Sequence, residues 1–154
     1  MIHFSCLSFD QLSLNQLYDI MALRQEVFVV EQDCPYLDAD GKDLTSYHLM
    51  GTTGDGQLIA YARIIPQGIS YPTYVSLGRI VSAHTHRRKG IGKRLMKACL
   101  EYTEQLFPGE PIKISAQTYL IRFYENFGFQ TVGETYLEDD IPHIAMVKKG
   151  ELTI

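Results

Sequence analysis

Residues 77–107 read LGRIVSAHTHRRKGIGKRLMKACLEYTEQLF and change pattern twice. The apolar run through Val81 predicts the end of a strand, and a short polar turn follows. RRKGIG then opens an amphipathic helix from about Gly90 to Phe107, which Pro108 and Gly109 end. Gly90 and Gly92 remove side chains where the turn becomes helix, so successive N–H groups are left bare. Those donors and the positive helix end make an anion cradle. Arg87, Arg88, Lys89, Lys93, Arg94 and Lys97 place six of the fourteen basic residues within eleven positions. Three readings fit the segment: a phosphate or pyrophosphate site, a helix start that is glycine-rich for steric reasons alone, and a nucleic-acid contact. GxxxxGK[ST] is absent, and so is the G-x-G-x-x-G dinucleotide fingerprint. The sequence has no second basic patch and no aromatic-interleaved stacking surface, which disfavours nucleic acid.

Outward from this segment, Ile112 to Ala116 alternates as a strand. The intervening helix makes a crossover, so this strand and the one ending at Ser82 are expected to be parallel neighbours. Leu120 to Phe127 reads as a short helix with Gly128 at C′, followed by strands near Gln130–Leu137 and His143–Lys148. Upstream, Ile2 to Leu7 reads as a first strand. Ser13 is an N-cap for a helix that carries Leu14, Leu17, Tyr18 and Met21 and extends to about Glu26. VFVVEQDCPYLDADGKD fits a second short helix or an extended segment, then an irregular loop from Cys34 to Asp43. Tyr47–Thr53 and Gln57–Ile65 form a hairpin around Gly54-Asp55-Gly56, and Tyr74–Ser82 is the next strand. The order is α/β (α+β), a mixed sheet with helices packed over it.

The 154 residues and 17.5 kDa are expected to form a single domain. A hydrophobic content of 45% with 21% charged residues excludes a disordered chain. The net charge of -4 gives the whole molecule no general attraction for nucleic acid or anionic membrane. Cys6, Cys34 and Cys99 lie far apart without CxxC spacing, which suits a reducing compartment and offers no zinc knuckle. Asp10 interrupts any signal-peptide core, and no run approaches the roughly 18 apolar residues of a membrane span. A cytoplasmic protein is expected. DADGKD (Asp38, Asp40, Asp43) lacks the calcium-loop ligand spacing, and no metal is expected. An exposed sheet edge would allow either a monomer or a homodimer.

RRKGIG at the head of the central helix matches the Q/R-x-x-G-x-G/A signature of the GCN5-related N-acetyltransferases (GNAT). Further on, Phe123-Tyr124 and Gly128-Phe129 resemble the family's N-x-x-A-x-x-L/F-Y-x-x-x-G-F, with Gln117 in place of the Asn and Leu120 in place of the small residue. RQEVFVVEQDCPYLDADGKDLTSYHL and YLEDDIPHIAM are similar to the small bacterial ElaA-like branch. The resemblance covers nearly the whole chain. It implies a mixed, mainly antiparallel central sheet of six to seven strands with flanking helices and a splayed parallel pair.

The resemblance also implies acetyl-CoA as acetyl donor, its pantetheine arm lying between the strands around Leu77–Ser82 and Ile112–Ala116. Backbone groups near Ile80 and Val81 would hold the arm, and the amides from Arg88 through Gly90, Ile91 and Gly92 to Lys93 would grip the pyrophosphate, with charge added by Arg87, Arg88 or Lys89. Gln117 would be a further coenzyme contact. Tyr124 matches the position that protonates the leaving thiolate; by periodicity alone it shares an apolar stripe with Leu120, Phe123 and Phe127 and reads as core. The strand YVSLGRIVS has no carboxylate for a general base, which leaves Glu31, His48 and His143 as candidates beside their ordinary structural uses. Arg24 and Glu31, seven apart, are acceptor-site candidates if one helix continues through both. Arg79 needs an acceptor carboxylate or a structural ion pair. Glu26, Glu31, Asp33, Asp38, Asp40 and Asp43 form an acidic region that would favour a cationic acceptor if it borders the acceptor mouth. The expected activity is acetyl-CoA-dependent N-acetylation of a primary amine on a small molecule or peptide. A non-catalytic acyl-CoA-binding or regulatory protein is the second reading, prompted by the missing strand carboxylate and by Gln117.

Overall fold

Seven strands form one sheet in the order β1-β2-β3-β4-β5-β7-β6, in a computed structural model that describes residues 1–150. The strands are β1 (His3–Ser8), β2 (Tyr47–Thr52), β3 (Leu58–Ile65), β4 (Val75–Ser82), β5 (Ile112–Gln117), β6 (Gln130–Glu138) and β7 (Ile141–Lys148). Among the described residues every pairing is antiparallel except β4 with β5. Helices α1 (Leu14–Arg24), α2 (Ile91–Leu106) and α3 (Ile121–Glu125) flank the sheet. The mixed, mainly antiparallel sheet expected from the sequence is present, including its parallel pair.

That parallel pair is short. Only Val75↔Ile112 and Ser76↔Lys113 are register partners, and beyond them β4 and β5 part. The cause lies in β4. Tyr61 faces Val81 and Arg63 faces Gly78, so Arg79 and Ile80 together stand opposite Ala62. This is a bulge, and Arg79 takes φ 48° within it. A bulged strand bends and twists away from its neighbour.

Helix α2 turns Ile91, Leu95, Met96, Ala98, Cys99 and Thr103 into the core over one face of the sheet. Each fully buried large side chain there contributes roughly 1.5–3 kcal/mol. On the other face Ile20, Leu23 and Val27 pack on Met50, Tyr61 and Val81. With helices over both faces, β3 is buried from Ile59 to Ile65. Ser13 caps α1 as expected, its hydroxyl accepting from the Gln16 N–H at 3.1 Å while the Gln16 side chain accepts from the Ser13 N–H at 2.9 Å.

Two expectations for this region need correction. The buried face of α1 is the Ile20–Leu23–Val27 row, and Leu14 and Tyr18 of the anticipated stripe are 86% and 75% exposed. The helix also does not stop near Glu26: Gln25–Glu31 continues it as a π-helix, so the β-branched VFVV run is helical. Burial of Val27 against the sheet outweighs the weak helix preference of that run. No described helix is long and apolar enough to cross a membrane.

Candidate active site

The first backbone bond of α2 runs from the Arg94 N–H to the Gly90 carbonyl at 3.2 Å, which leaves the amides of Ile91, Gly92 and Lys93 without intrahelical acceptors. Arg88 and Gly90 have φ of 68° and 72°, so the chain enters the helix through two left-handed residues. Open space surrounds the position a Gly90 Cβ would take, so the glycine answers to backbone conformation rather than crowding. Arg88, Lys89 and Lys93 are exposed around these amides, while the Ile91 side chain is buried in the core and offers only its N–H. Arg87 differs from its basic neighbours. Its guanidinium bonds the Ser82 carbonyl at 3.1 and 3.2 Å and pairs with Glu31 at 2.6 Å, so its charge is already partnered.

From Ser82 and Arg87 the cradle adjoins a cleft of about 670 Å³ that opens where β4 and β5 part. Past Ser76, the β5-facing edge of β4 has no ladder partner, so its amides and carbonyls can serve an extended ligand. Ile80, Val81, Gln117 and Tyr124 all line this space. Tyr124 is 6% exposed and packs edge-on against Phe123 and Phe129, so the core and cleft readings of this residue both hold geometrically. Burial raises its phenol above the ordinary tyrosine range, which keeps it protonated. These features fit an acyl-CoA: a bare amide row for the diphosphate, a free strand edge for the pantetheine amides, and a protonated hydroxyl inside the cleft.

The acidic loop is paired rather than open. Asp38, Asp40 and Asp43 do not form an open anionic field, because three arginines from three elements meet them. Arg24 of α1 bonds Asp43 at 2.6 Å, and its Nε lies 2.8 Å from Asp38 Oδ2 without the alignment of a hydrogen bond. Arg63 of β3 reaches Asp40 at 2.8 Å and Asp43 at 3.0 Å. Arg79 of β4 bonds Asp38 at 2.8 Å and lies over the Tyr36 ring. Burial pushes the Asp43 carboxyl up, but bonding to Arg24 and Arg63 outweighs it and holds the carboxyl below its ordinary value; Asp40 is held down in the same way by Arg63.

Arg24 is fully buried in this network and does not line the cleft, whereas Glu31 lines it and is held on Arg87. Although one helix does run through both, they meet different surroundings. Of the two futures open to Arg79, the ion pair is the one formed. His48 is fully buried: its Nε2 donates to the Asp43 carbonyl at 2.9 Å and its Nδ1 accepts from the Tyr61 hydroxyl at 2.7 Å. With both nitrogens used, it is a structural residue. Burial lowers its pKa, consistent with a neutral ring.

His143 is the remaining histidine candidate, and it lines the cleft. Its Nδ1 lies 2.7 Å from the Ile141 carbonyl and its Nε2 3.4 Å from Glu138 Oε2. Ser115 Oγ bonds the Tyr136 hydroxyl and Glu138 Oε1. Glu138 and Ser115 were not anticipated from sequence. The two-residue turn Asp139-Asp140, with φ of 51° and 63°, is the hairpin signal that sets Glu138 and Tyr136 beside His143. Among the described residues no group of three or more His, Cys, Asp or Glu side chains could hold a metal ion.

Comparison with known proteins agrees with this geometry. The family model "Acetyltransferase (GNAT) domain" matches residues 24–150. A UPF0039 protein of Synechocystis sp. is 43% identical over 146 residues, covering 95% of this chain and 94% of the relative. Protein ElaA of Escherichia coli is 42% identical over 151 residues, 97% of each chain. The crystal structure of an acyl-CoA N-acyltransferase from Pseudomonas aeruginosa superposes with a TM-score of 0.91 at 43% identity, covering 96% of this chain and 99% of that one. The family model and these relatives show that the chain belongs to the GNAT acetyltransferase family, in its ElaA-like branch, and is an acyltransferase that uses an acyl-CoA.

Proposed function

We propose that this protein transfers the acetyl group of acetyl-CoA to a primary amine of a small molecule or peptide, by direct attack with donor and acceptor bound together. The observation that supports this most is the continuity of three features: the bare amide row of α2, the partner-free edge of β4, and the cleft lined by Tyr124. The donor supplies an activated acyl carbonyl on a sulfur leaving group.

The residues of this chain have separable tasks. Amides from Arg88 to Lys93 hold the diphosphate, with Lys89 and Lys93 adding charge. Backbone groups of Ile80 and Val81 hold the pantetheine arm and polarise the thioester carbonyl, and Gln117 borders the same arm. As the C–N bond forms and the C–S bond breaks, the amine gives up one proton and the thiolate gains one. Tyr124 donates the latter, because its phenol is protonated at rest. The test is acetyl-CoA with a panel of amino acids, polyamines and peptide N-termini, read by thiol release and product mass. Saturable acetylation of at least one amine is expected. Tight acetyl-CoA binding with no acetylated product would instead favour the non-catalytic reading.

A further inference from the structure

We propose that Nε2 of His143 takes the proton that the acceptor amine loses, with Glu138 as its carboxylate partner; this rests on the acyl-transfer reading above. A carbonyl can only accept, so the 2.7 Å contact with the Ile141 oxygen places the ring proton on Nδ1. The lone pair of the neutral ring is then on Nε2. In the β5–β7 register His143 faces Gln117, so its ring stands on the face of β5 that bears Ser115 and Gln117, and all three line the cleft. Tyr136 stacks on the imidazole at 6.2 Å with a 22° interplanar angle and fixes its plane. Glu138 Oε2 lies 3.4 Å from Nε2, and its other oxygen accepts from Ser115 Oγ at 3.3 Å.

The Ile141 carbonyl sets the tautomer, hairpin and stacking ring place the base, and Glu138 supplies a counter-charge once Nε2 has taken the proton. The titratable groups against the ring are Glu138 and Tyr136 of β6, and Asp139 of the turn lines the same cleft. From β5 only the neutral Ser115 and Gln117 face it, since Lys113 lies over Tyr71 and Tyr74 at 4.8 and 5.5 Å. Of the other two candidates, Glu31 lines the cleft but its carboxylate is paired with Arg87, and His48 is buried on Tyr61 and Asp43. Protons balance: the amine N–H proton moves to Nε2 as the C–N bond forms, and Tyr124 protonates the departing sulfur. Imidazolium and phenolate then exchange with solvent, with no net gain or loss.

The test has two arms. ¹⁵N NMR of the unmodified protein reports the His143 tautomer, and protonation at Nδ1 is expected; the opposite tautomer would overturn the proposal. In the second arm, thiol release from acetyl-CoA is followed with primary amines and with water alone, for wild type, His143→Gln and Glu138→Gln. Acetyl-CoA binding is measured calorimetrically on each protein as a control for folding and for the donor site. His143→Gln should keep its affinity for acetyl-CoA but lose about 10²-fold or more in the fastest thiol-releasing reaction at neutral pH. That deficit should shrink at high pH, where solvent deprotonates the amine. Glu138→Gln should show a smaller loss of the same pH form. A His143→Gln rate within about threefold of wild type, or one low at every pH alike, would overturn the proposal. Donor binding without thiol release by wild type would overturn it and leave the donor site standing. No acetyl-CoA binding by folded wild type would remove the acyl-transfer reading first and this proposal with it.

Discussion

Tyr124 meets two demands with one side chain: its ring completes the core beside Phe129, and its hydroxyl is kept protonated by that burial. Tyr124→Phe preserves the ring and removes only the donor. Turnover should fall about 10²-fold or more while acetyl-CoA affinity stays within about twofold. Steady-state kinetics beside calorimetry checks this, and equal turnover would remove Tyr124 from the acid role. Its position was legible because Phe123-Tyr124 and Gly128-Phe129 are contiguous in sequence. The fates of Arg24 and His48 were not. Arg24 meets Asp43 nineteen residues away, and His48 meets Tyr61 thirteen away, contacts that only the assembled sheet brings together. Residue type made His48 a candidate base, and its two satisfied nitrogens make it a core residue.

At the scale of elements, the head of α2 separates backbone geometry from side-chain space. Gly90 has open surroundings but φ 72°, a region that is costly for L-residues and worst for β-branched ones. Gly92 lies within the helix, and a methyl there would sit 3.9 Å from Phe123, an ordinary contact. Gly90→Val should therefore turn the amide row and weaken acetyl-CoA binding about tenfold or more. Gly92→Ala should leave affinity near wild type and raise stability by up to about 1 kcal/mol. Calorimetry and thermal melting distinguish the two, and unchanged affinity in Gly90→Val would count against the cradle. Strand order was largely legible, because hairpins and a strand–helix–strand crossover are written in local pattern and turn chemistry. The bulge was not. A left-handed arginine inside an apolar strand has no sequence signature, and its partner Asp38 lies forty-one residues upstream. For Gln25–Glu31 helix and extended segment were both open in the sequence, and tertiary burial of Val27 decided for the helix against local propensity.

Across the whole molecule, the sheet has an apolar core on both faces, and the one under α1 is bordered by a buried charged network. That network fastens the 38–43 loop to α1, β3 and β4 through three arginines, so it also supports the bulge that opens the cleft. Its titration predicts the pH dependence of stability. His48 is held below its ordinary value in the folded state, so the unfolded chain binds that proton more readily. Stability should begin to fall as pH drops through about 6.5. Asp40 and Asp43 are held below their ordinary values, so their contribution is complete above about pH 4 and is lost as pH falls further. Chemical denaturation across pH 8 to 3 should show both stages, and His48→Gln should lack the first. A wild-type stability that is flat from pH 8 to 5 would contradict the buried neutral ring. The acidic loop was legible in sequence as charge but not as a neutralised network, because charge counts do not report pairing.

Donor binding depends on one physical object, the amide row that adjoins the parted strands. Calorimetric titration of the purified protein with acetyl-CoA, with CoA as the comparison ligand, tests it most directly. Saturable one-site binding of both, since both bear the diphosphate and pantetheine arm, is the predicted result. A folded sample that binds neither would contradict it.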